Sequence, residues 1–257
     1  MRVHLLQVAY GDDEPPPQRV ARVAELVRAQ VGADLVVLPE LWPDGGFAYD
    51  AWTTGAQGLD GPVVTALRAA ARDLGAQVHM GSFVERDEAG RMFNTSVLIG
   101  PTGELLSTYR KIHLFGFAEG EPAVMTAGAD LVVHESVGLA TCYDLRFPEM
   151  FRLLLDRGAE TVIVPAAWPA RRREHWRLLV QARAVEDQIV VIACNTGGTH
   201  AGVAMAGHSL VVDPWGAVLA EAGEHEEVLV VDIDPGLVAA TRAAFPVLGD
   251  RRLSGAG

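Results

Sequence analysis

The stretch DLVVLPE, residues 34–40, is a run of four apolar residues that ends at Pro39-Glu40. A short apolar run bounded by polar and turn residues is typical of a strand that is buried on both faces. Segments with apolar residues at helical spacing precede and follow it, over about 18–31 and about 62–74. A buried strand between amphipathic helices predicts a layered α/β fold.

The remaining chain continues this alternation of strands and helices. Strands are predicted at 2–10, 77–85, 93–100, 105–112, 138–142, 161–165, 189–194, 208–213, 217–221 and 227–233, and helices at 148–156, 173–187 and 235–244. Strands that follow one another without a crossover must pair antiparallel, so the sheets are expected to be mixed. The pattern favours two sheets between helices over a (β/α)8 barrel, which needs strict alternation.

Composition sets limits on size, partners and location. The 257 residues, 49% of them apolar, can bury the core of one large domain. The net charge of −12 argues against binding to nucleic acid, and the one basic run, Arg171–Arg173, is followed directly by Glu174. No signal-peptide pattern and no apolar stretch of membrane-spanning length are visible, which predicts a cytoplasmic protein without a membrane partner.

Cysteine and histidine usage predicts neither a disulfide nor a metal site. The two cysteines, Cys142 and Cys194, could form one disulfide, but disulfides are rare in the cytosol. Eight scattered histidines show no ligand spacing, and glycine-rich phosphate or dinucleotide motifs are absent from the sequence. We therefore expect no metal and no other cofactor.

Lys111 is the only lysine, whereas the other twenty basic residues are arginines. Lysine carries a compact charge whose pKa can shift, but arginine presents a wide fork that stays protonated. A surface lysine retained by chance is the alternative. Its place in YRKIHLF, residues 109–115, where a predicted strand ends, favours a site that needs a point charge.

Three residues with complementary chemistry each lie at the end of a predicted strand, where α/β proteins build their sites. They are Glu40, Lys111 and Cys142. A thiol can attack an amide carbon, a carboxylate can take its proton, and an ammonium can stabilise the oxyanion. The alternatives are a capping glutamate and a cysteine that is only a small buried apolar residue, the interpretation we favour for Cys194.

The segments LPE (38–40), YRKIHLF (109–115) and CYDLRFPE (142–149), in this order and spacing, resemble the nitrilase superfamily of carbon–nitrogen hydrolases. The resemblance runs nearly end to end. It implies one carbon–nitrogen hydrolase domain over 1–257, a four-layer α-β-β-α sandwich with mixed sheets, and a homodimer or larger homo-oligomer. It also implies a Glu-Lys-Cys triad that acts without metal or cofactor.

The resemblance assigns roles to these residues. Cys142 would be the nucleophile, Glu40 the general base, and Lys111 with the backbone N–H of Tyr143 the oxyanion donors. The ammonium would also lower the pKa of the thiol. Family members commonly add a second glutamate after the lysine, and Glu121 fits better than Glu119 because of its distance to Gly128.

The residue after the cysteine separates branches of the superfamily. True nitrilases typically carry Trp there, whereas Tyr143 resembles amidases and carbamoylases. Together with AWPAR, residues 167–171, the nucleophile segment resembles ω-amidases and deaminated-glutathione amidases. This implies hydrolysis of a small amide that bears a carboxylate, through a cysteine thioester and with release of ammonia. N-carbamoyl amino-acid hydrolysis and a non-catalytic binding protein are the alternatives.

The substrate carboxylate needs a cation, and an arginine fork matches a carboxylate. Arg146 is the first candidate and Arg171 the second, although Arg146 could instead form a salt bridge with Glu149. Trp168 could line the pocket or pack beneath it. Asn195, which follows a predicted strand, is expected to be a structural amide.

Overall fold

The computed structural model describes residues 1–117 and 119–253, in which twelve strands form two six-stranded sheets and two more form a hairpin. The strands are β1 (Arg2–Gln7), β2 (Leu35–Val37), β3 (Gln77–Arg86), β4 (Met92–Ile99), β5 (Leu105–Arg110), β6 (Val132–His134), β7 (Val137–Leu139), β8 (Thr161–Ala166), β9 (Val190–Asn195), β10 (Thr199–His200), β11 (Val203–Ala204), β12 (Leu210–Val212), β13 (Val218–Glu221) and β14 (Glu227–Asp232).

Helices cover both sheets. They are α1 (Pro16–Arg28), α2 (Tyr49–Gly55), α3 (Pro62–Leu74), α4 (Glu121–Val124), α5 (Pro148–Asp156), α6 (Arg173–Asp187) and α7 (Leu237–Ala244). Short 3-10 helices span Cys142–Arg146, Ala170–Arg172 and Val247–Asp250. Among the helices of the described residues, none has the length and apolar character needed to cross a membrane.

Both sheets are mixed, as the consecutive strands predict. The first has the order β14-β1-β2-β3-β4-β5 and the second, read from its other edge, the order β6-β7-β8-β9-β12-β13. Each follows the same sequence of pairings: one antiparallel, two parallel and two antiparallel. The two halves of the fold are therefore built to one pattern.

The stacking of the layers follows from the alternation of side chains along a strand. Leu35 and Val37 of β2 pack in the core that the two sheets share, whereas Val36 packs in the core under α1 and α3. On the far side, Leu154 of α5 and Trp176 of α6 pack on the second sheet. The order is helices, sheet, sheet, helices, which confirms the four-layer α-β-β-α sandwich.

The structure differs from the sequence prediction mainly in short elements. Helices α2 and α4 and strands β6, β10 and β11 have two to seven residues, too few to show a period in the sequence. Helix α1 begins two residues earlier than expected, because proline is favoured in the first helical turn.

A bulge in β3 brings the β2 loop against the sheet. Its register shifts between His79 and Ser82, and Gly81 has a φ of +69°, in the left-handed region. A Cβ at Gly81 would overlap the carbonyl oxygen of Pro39. The N–H of Ser82 donates to that oxygen at 3.2 Å. The close approach, which glycine permits, fixes the segment that carries Glu40.

We predict that Gly81→Ala lowers the free energy of unfolding more than Gly75→Ala does. Gly75 has a similar φ of +73° but no atom within 4 Å of a built Cβ. Both variants incur the left-handed penalty of about 1–2 kcal/mol. The overlap with Pro39 should add about 1–3 kcal/mol at Gly81. Urea unfolding of both variants measures the difference, and equal losses would contradict the role of the bulge.

Candidate active site

Glu40, Lys111 and Cys142 reach one place from two sheets. Glu40 follows β2 and Lys111 follows β5 of the first sheet, whereas Cys142 follows β7 of the second. The N–H of Glu40 donates to the carbonyl of Ala166 at the end of β8, at 3.4 Å, and so links the sheets beside the site. The strand ends thus bring together the three residues that the sequence singles out.

Lys111 is buried, with 1% of its surface exposed, and its ammonium lies between two carboxylates. Its Nζ donates to Glu40 Oε1 at 2.7 Å and to the Glu121 oxygens at 2.8 and 3.0 Å. Burial alone would lower the pKa of Lys111, but the charges of Glu121 and Glu40 raise it well above its usual range. The only lysine of the chain is therefore a fixed buried cation.

Glu121, not Glu119, is the second acid of the cluster. Glu121 is buried at the start of α4, and its Oε2 also accepts the N–H of Phe115 at 2.6 Å. Glu119 is exposed. Burial raises the pKa of Glu121, and the charge of Glu40 adds to this, against the opposite effect of Lys111.

Glu40 has one acceptor position left over. Its Oε1 accepts from Lys111 and from Asn94 Nδ2, the latter at 2.9 Å, and its Oε2 accepts the N–H of Ala167 at 2.8 Å. Each carboxylate oxygen offers two lone pairs. The remaining lone pair is therefore on Oε2, so Oε2 is the atom that can take a proton.

Cys142 begins the 3-10 helix in a strained conformation. Its φ is +47°, which is uncommon for a residue other than glycine, and such outliers cluster at functional sites. Burial raises the pKa of its thiol well above the usual range, and the negative charge of Glu40 adds to this. Lys111 lowers it, as the sequence predicts, but is outweighed. The resting thiol is protonated and needs a base.

Asp144 ties the cysteine turn to the segment after β5. Its fully buried carboxylate accepts the N–H of Thr141 at 2.8 Å and the hydroxyl of Tyr109 at 2.6 Å. It also accepts the N–H of His113 at 3.0 Å and lies 2.8 Å from His113 Nδ1. One carboxylate thus sets the separation between the Cys142 turn and the neighbouring segment.

The backbone N–H of Tyr143 is free to act as a donor. It lies in the first turn of the 3-10 helix, where N–H groups have no partner within the helix. Over residues 1–117 and 119–253 it makes no backbone hydrogen bond outside that helix. An oxyanion beside Cys142 could use this group.

A narrow cleft leads to Cys142. It is lined by Phe47, Phe115, Cys142, Tyr143, Arg146, Ala167, Trp168, Pro169 and Arg172. The guanidinium carbon of Arg146 lies 4.9 Å from the ring centre of Trp168, and that of Arg172 lies 5.2 Å from that of Phe115. Tyr143, Arg146 and Trp168, which the sequence predicts as substrate contacts, therefore line this cleft.

Arg172 holds the place that was expected for Arg171. Arg171 is exposed and is not among the lining residues, whereas Arg172, the next residue of the 3-10 turn, is. Burial lowers the pKa of Arg172, and the neighbouring Arg171 and Arg146 lower it further. Within the described chain, no salt bridge pairs Arg146 or Arg172 with a carboxylate, including Glu149. Two cations in the cleft are available to an anion.

Asn195 holds the wall of the cleft. Its Oδ1 accepts the N–H of Trp168 at 2.7 Å, and its Nδ2 donates to the Gly207 carbonyl at 2.8 Å. It is the satisfied structural amide that the sequence predicts, and it fixes the backbone of Trp168. The Trp168 indole donates to the Arg172 carbonyl at 2.8 Å, which steadies the arginine turn.

Cys194 lies between the sheets. Its Sγ is 3.3 Å from the Val37 carbonyl and 3.5 Å from that of Leu6. It is fully buried, and burial raises the pKa of its thiol. Both cysteines are free thiols. Only Cys142 opens to the cleft.

Comparison with known proteins shows the family to which the chain belongs. The family model for carbon-nitrogen hydrolases matches residues 2–243. The chain is 43% identical to the 2-oxoglutaramate amidase of Paenarthrobacter nicotinovorans, over 97% of this chain and 89% of that protein. It is 33% identical to omega-amidase NIT2 of Xenopus tropicalis, over 91% and 90% respectively.

The fold agrees as well. The crystal structure of XC1258 from Xanthomonas campestris, a CN-hydrolase superfamily protein with an arsenic adduct in the active site, superposes with a TM-score of 0.90. It is 32% identical and covers 100% of this chain and 99% of that one. The chain belongs to the carbon–nitrogen hydrolase family, which confirms the membership predicted from its three segments.

We predict that iodoacetamide modifies Cys142 in the folded protein and leaves Cys194 unmodified. Cys142 lines the cleft, whereas Cys194 is sealed between the sheets. Peptide mass mapping after brief labelling, with a urea-unfolded sample as the control for Cys194, measures this. Modification of Cys194 at the same rate as Cys142 would contradict the assignment of the reactive thiol.

Proposed function

We propose that the protein is an ω-amidase-like enzyme that hydrolyses a small amide bearing a carboxylate, with Cys142 as nucleophile and ammonia as product. Relatives are named 2-oxoglutaramate amidase, omega-amidase and deaminated glutathione amidase, names that each denote an amide with a carboxylate. These names favour an amidase over the carbamoylase and non-catalytic alternatives. The observation that carries the proposal is the cleft lined by Cys142 and by Arg146 and Arg172, which have no salt-bridge partner in the part of the chain that the structure describes.

Acylation begins with transfer of the Cys142 proton to Glu40 Oε2, the oxygen with a lone pair to spare. The thiolate attacks the amide carbon, and a C–S bond forms. Lys111 and the N–H of Tyr143 stabilise the oxyanion. Glu40 then gives the proton to the leaving nitrogen, the C–N bond breaks, and ammonia departs.

Deacylation uses the same groups, with water in the place of the thiol as the nucleophile. Glu40 takes a proton from water, the resulting hydroxide attacks the thioester carbon, and the C–S bond breaks to give the acid. The thiolate recovers its proton from Glu40. Each proton transfer between Cys142 and Glu40 moves charge within the cluster without changing its total, which suits a buried site.

Glu121 holds the ammonium in place in this scheme. It contacts Lys111 through both oxygens and the Phe115 N–H through one of them. We assign it a positioning role for Lys111 and for the loop that forms one wall of the cleft. Glu40, which has the free acceptor position, is the base.

The two arginines would hold the distal carboxylate of the substrate. Arg146 and Arg172 each rest on an aromatic ring that shapes the cleft. A charge-assisted hydrogen bond contributes about 1.5–3 kcal/mol. Trp168 and Phe115 would then pack against the short chain between the carboxylate and the amide.

We further propose that residues 1–257 act as one cytoplasmic catalytic domain within a homo-oligomer. An exposed apolar patch supports the assembly, since such patches commonly mark protein contacts. Trp215 and Phe245 stack at 6.1 Å and are 54% and 53% exposed, and Leu178 and Val185 of α6 are also exposed. Two free cysteines fit a reducing compartment.

Ammonia release across a panel of substrates tests the function. The panel contains ω-amides of dicarboxylic and keto acids, their distal methyl esters, N-carbamoyl amino acids and nitriles. We expect the free ω-amide acids to have the highest kcat/KM. A preference for N-carbamoyl acids or nitriles would overturn the proposal.

On the same panel, Arg172→Ala and Arg146→Ala should each lower kcat/KM for the free acid by roughly ten- to a hundred-fold, because each removes a charge-assisted contact. The esters should change little. Arg171→Ala, at the exposed neighbouring position, is the matched control and should resemble the wild type. Equal losses for acid and ester would show that the arginines do not bind the carboxylate.

Lys111→Arg should lose activity although the charge is retained. The guanidinium is too wide for the space between the two glutamates and would displace the oxyanion, and loss of one such donor costs about 10²–10³ in kcat. Arg110→Lys, which alters a partly exposed ion pair with Glu85, is the control for a charge-conserving exchange. A Lys111→Arg rate within a few-fold of the wild type would contradict the role of Lys111.

A further inference from the structure

Asn94 is a buried amide in the middle of β4 that contacts both carboxylates of the site. Its Nδ2 donates to Glu40 Oε1 at 2.9 Å and to Glu121 Oε1 at 2.5 Å. Its backbone carbonyl accepts the N–H of Lys111 at 2.9 Å. Asn94 therefore contacts Glu40 and Glu121 through its side chain and Lys111 through its backbone.

The cluster needs this amide because its charges do not balance. Glu40 and Glu121 bring two negative charges to a buried place where Lys111 brings one positive charge. Two negative charges that share one buried ammonium repel each other, and this repulsion disfavours ionisation of both carboxylates. The Nδ2 group of Asn94 carries two protons, and one reaches each carboxylate. It supplies positive potential where the second cation is missing.

The orientation of the amide is dictated by its surroundings. Flipping it would place Oδ1 against two carboxylate oxygens, a repulsive contact. In the arrangement seen, Oδ1 is buried without a partner among the described residues. An unpartnered buried oxygen costs about 1–3 kcal/mol. This cost falls on the Oδ1 atom, whereas the Nδ2 atom makes both hydrogen bonds to the carboxylates.

We propose that Asn94 is a positioning residue for the reaction: it shares its two amide protons between Glu40 and Glu121, holds both carboxylates against Lys111, and leaves Glu40 Oε2 as the proton acceptor for Cys142. The proposal rests on the proposed function only in giving Glu40 the role of base. Its physical content is a property of the cluster without substrate.

The acid limb of the pH profile reports on the charge cluster around Cys142. Other titratable groups around them are Lys111, Cys142, Tyr10, Tyr49 and Tyr109. Burial raises the pKa of the thiol and of each tyrosine, and Lys111 keeps its charge. These groups therefore do not change state at acid pH.

Two variants test the role of the amide. Asn94→Ala removes both donors, and Asn94→Asp keeps the shape but replaces donors with acceptors. Burial already raises the pKa of Glu121, and loss of the Asn94 donor should raise it further, so the acid limb should move to higher pH, by roughly one unit. A limb moved by that amount should lower kcat/KM at pH 6 by roughly ten-fold.

The limb is measured twice: in kcat/KM for ammonia release, and in the rate at which iodoacetamide labels Cys142, which needs no amide substrate. Gln188→Ala is the control, because Gln188 is a buried amide at the end of α6 that donates to the Phe245 carbonyl. Gln188→Ala should change the maximal rate at most and should leave the pH of the acid limb where it is in the wild type. If Asn94→Ala does not fold, the isosteric Asn94→Asp carries the test.

A shift of the labelling limb in the Asn94 variants, absent in Gln188→Ala, supports the proposal. A uniform loss of labelling without a shift would overturn it and make Asn94 a strand amide with no part in the reaction. Failure of the wild type to release ammonia from any ω-amide would overturn the proposed function instead. The labelling result would still decide the role of Asn94.

Discussion

The structure of the site depends on burying one ammonium between two carboxylates. Taking an ion out of water costs several kcal/mol, and removing one partner of a buried pair leaves a charge that costs about 3–5 kcal/mol. Lys111 is acceptable inside the sandwich only because Glu40 and Glu121 reach it from two different loops. The apolar core between the sheets keeps water away, which strengthens every charge interaction beside Cys142.

The position of this cluster could be predicted from the sequence because buried strands have a recognisable pattern of apolar residues. An apolar run such as Leu35–Val37 marks a buried strand, and in a layered α/β fold the residues just past strand ends meet at one edge. The sequence alone therefore places Glu40, Lys111 and Cys142 near one another. The four-layer arrangement and the family followed from the resemblance of the segments around them.

Features that depend on burial and on single turns could not be predicted in this way. The sequence shows that a lysine accompanies the thiol, but not that burial outweighs its effect on the pKa. Adjacent arginines are equivalent in the sequence pattern. Only the conformation of the 3-10 helix shows that Arg172, and not Arg171, lines the cleft. In the sequence, Asn94 is an ordinary polar residue of a strand, and only the structure shows that it donates to the Glu40 carboxylate. Asp144 is likewise one residue of a motif, and only the structure shows that it accepts the N–H of Thr141.

In the proposed mechanism, this buried charge cluster serves covalent catalysis at Cys142. Intact-protein mass spectrometry of an acid-quenched reaction with an ω-amide, within the first turnover, tests this most directly. We expect the protein mass to rise by the mass of the substrate minus that of ammonia, with peptide mapping placing the acyl group on Cys142. Turnover with no acyl adduct at any quench time, or with the acyl group on another residue, would contradict it.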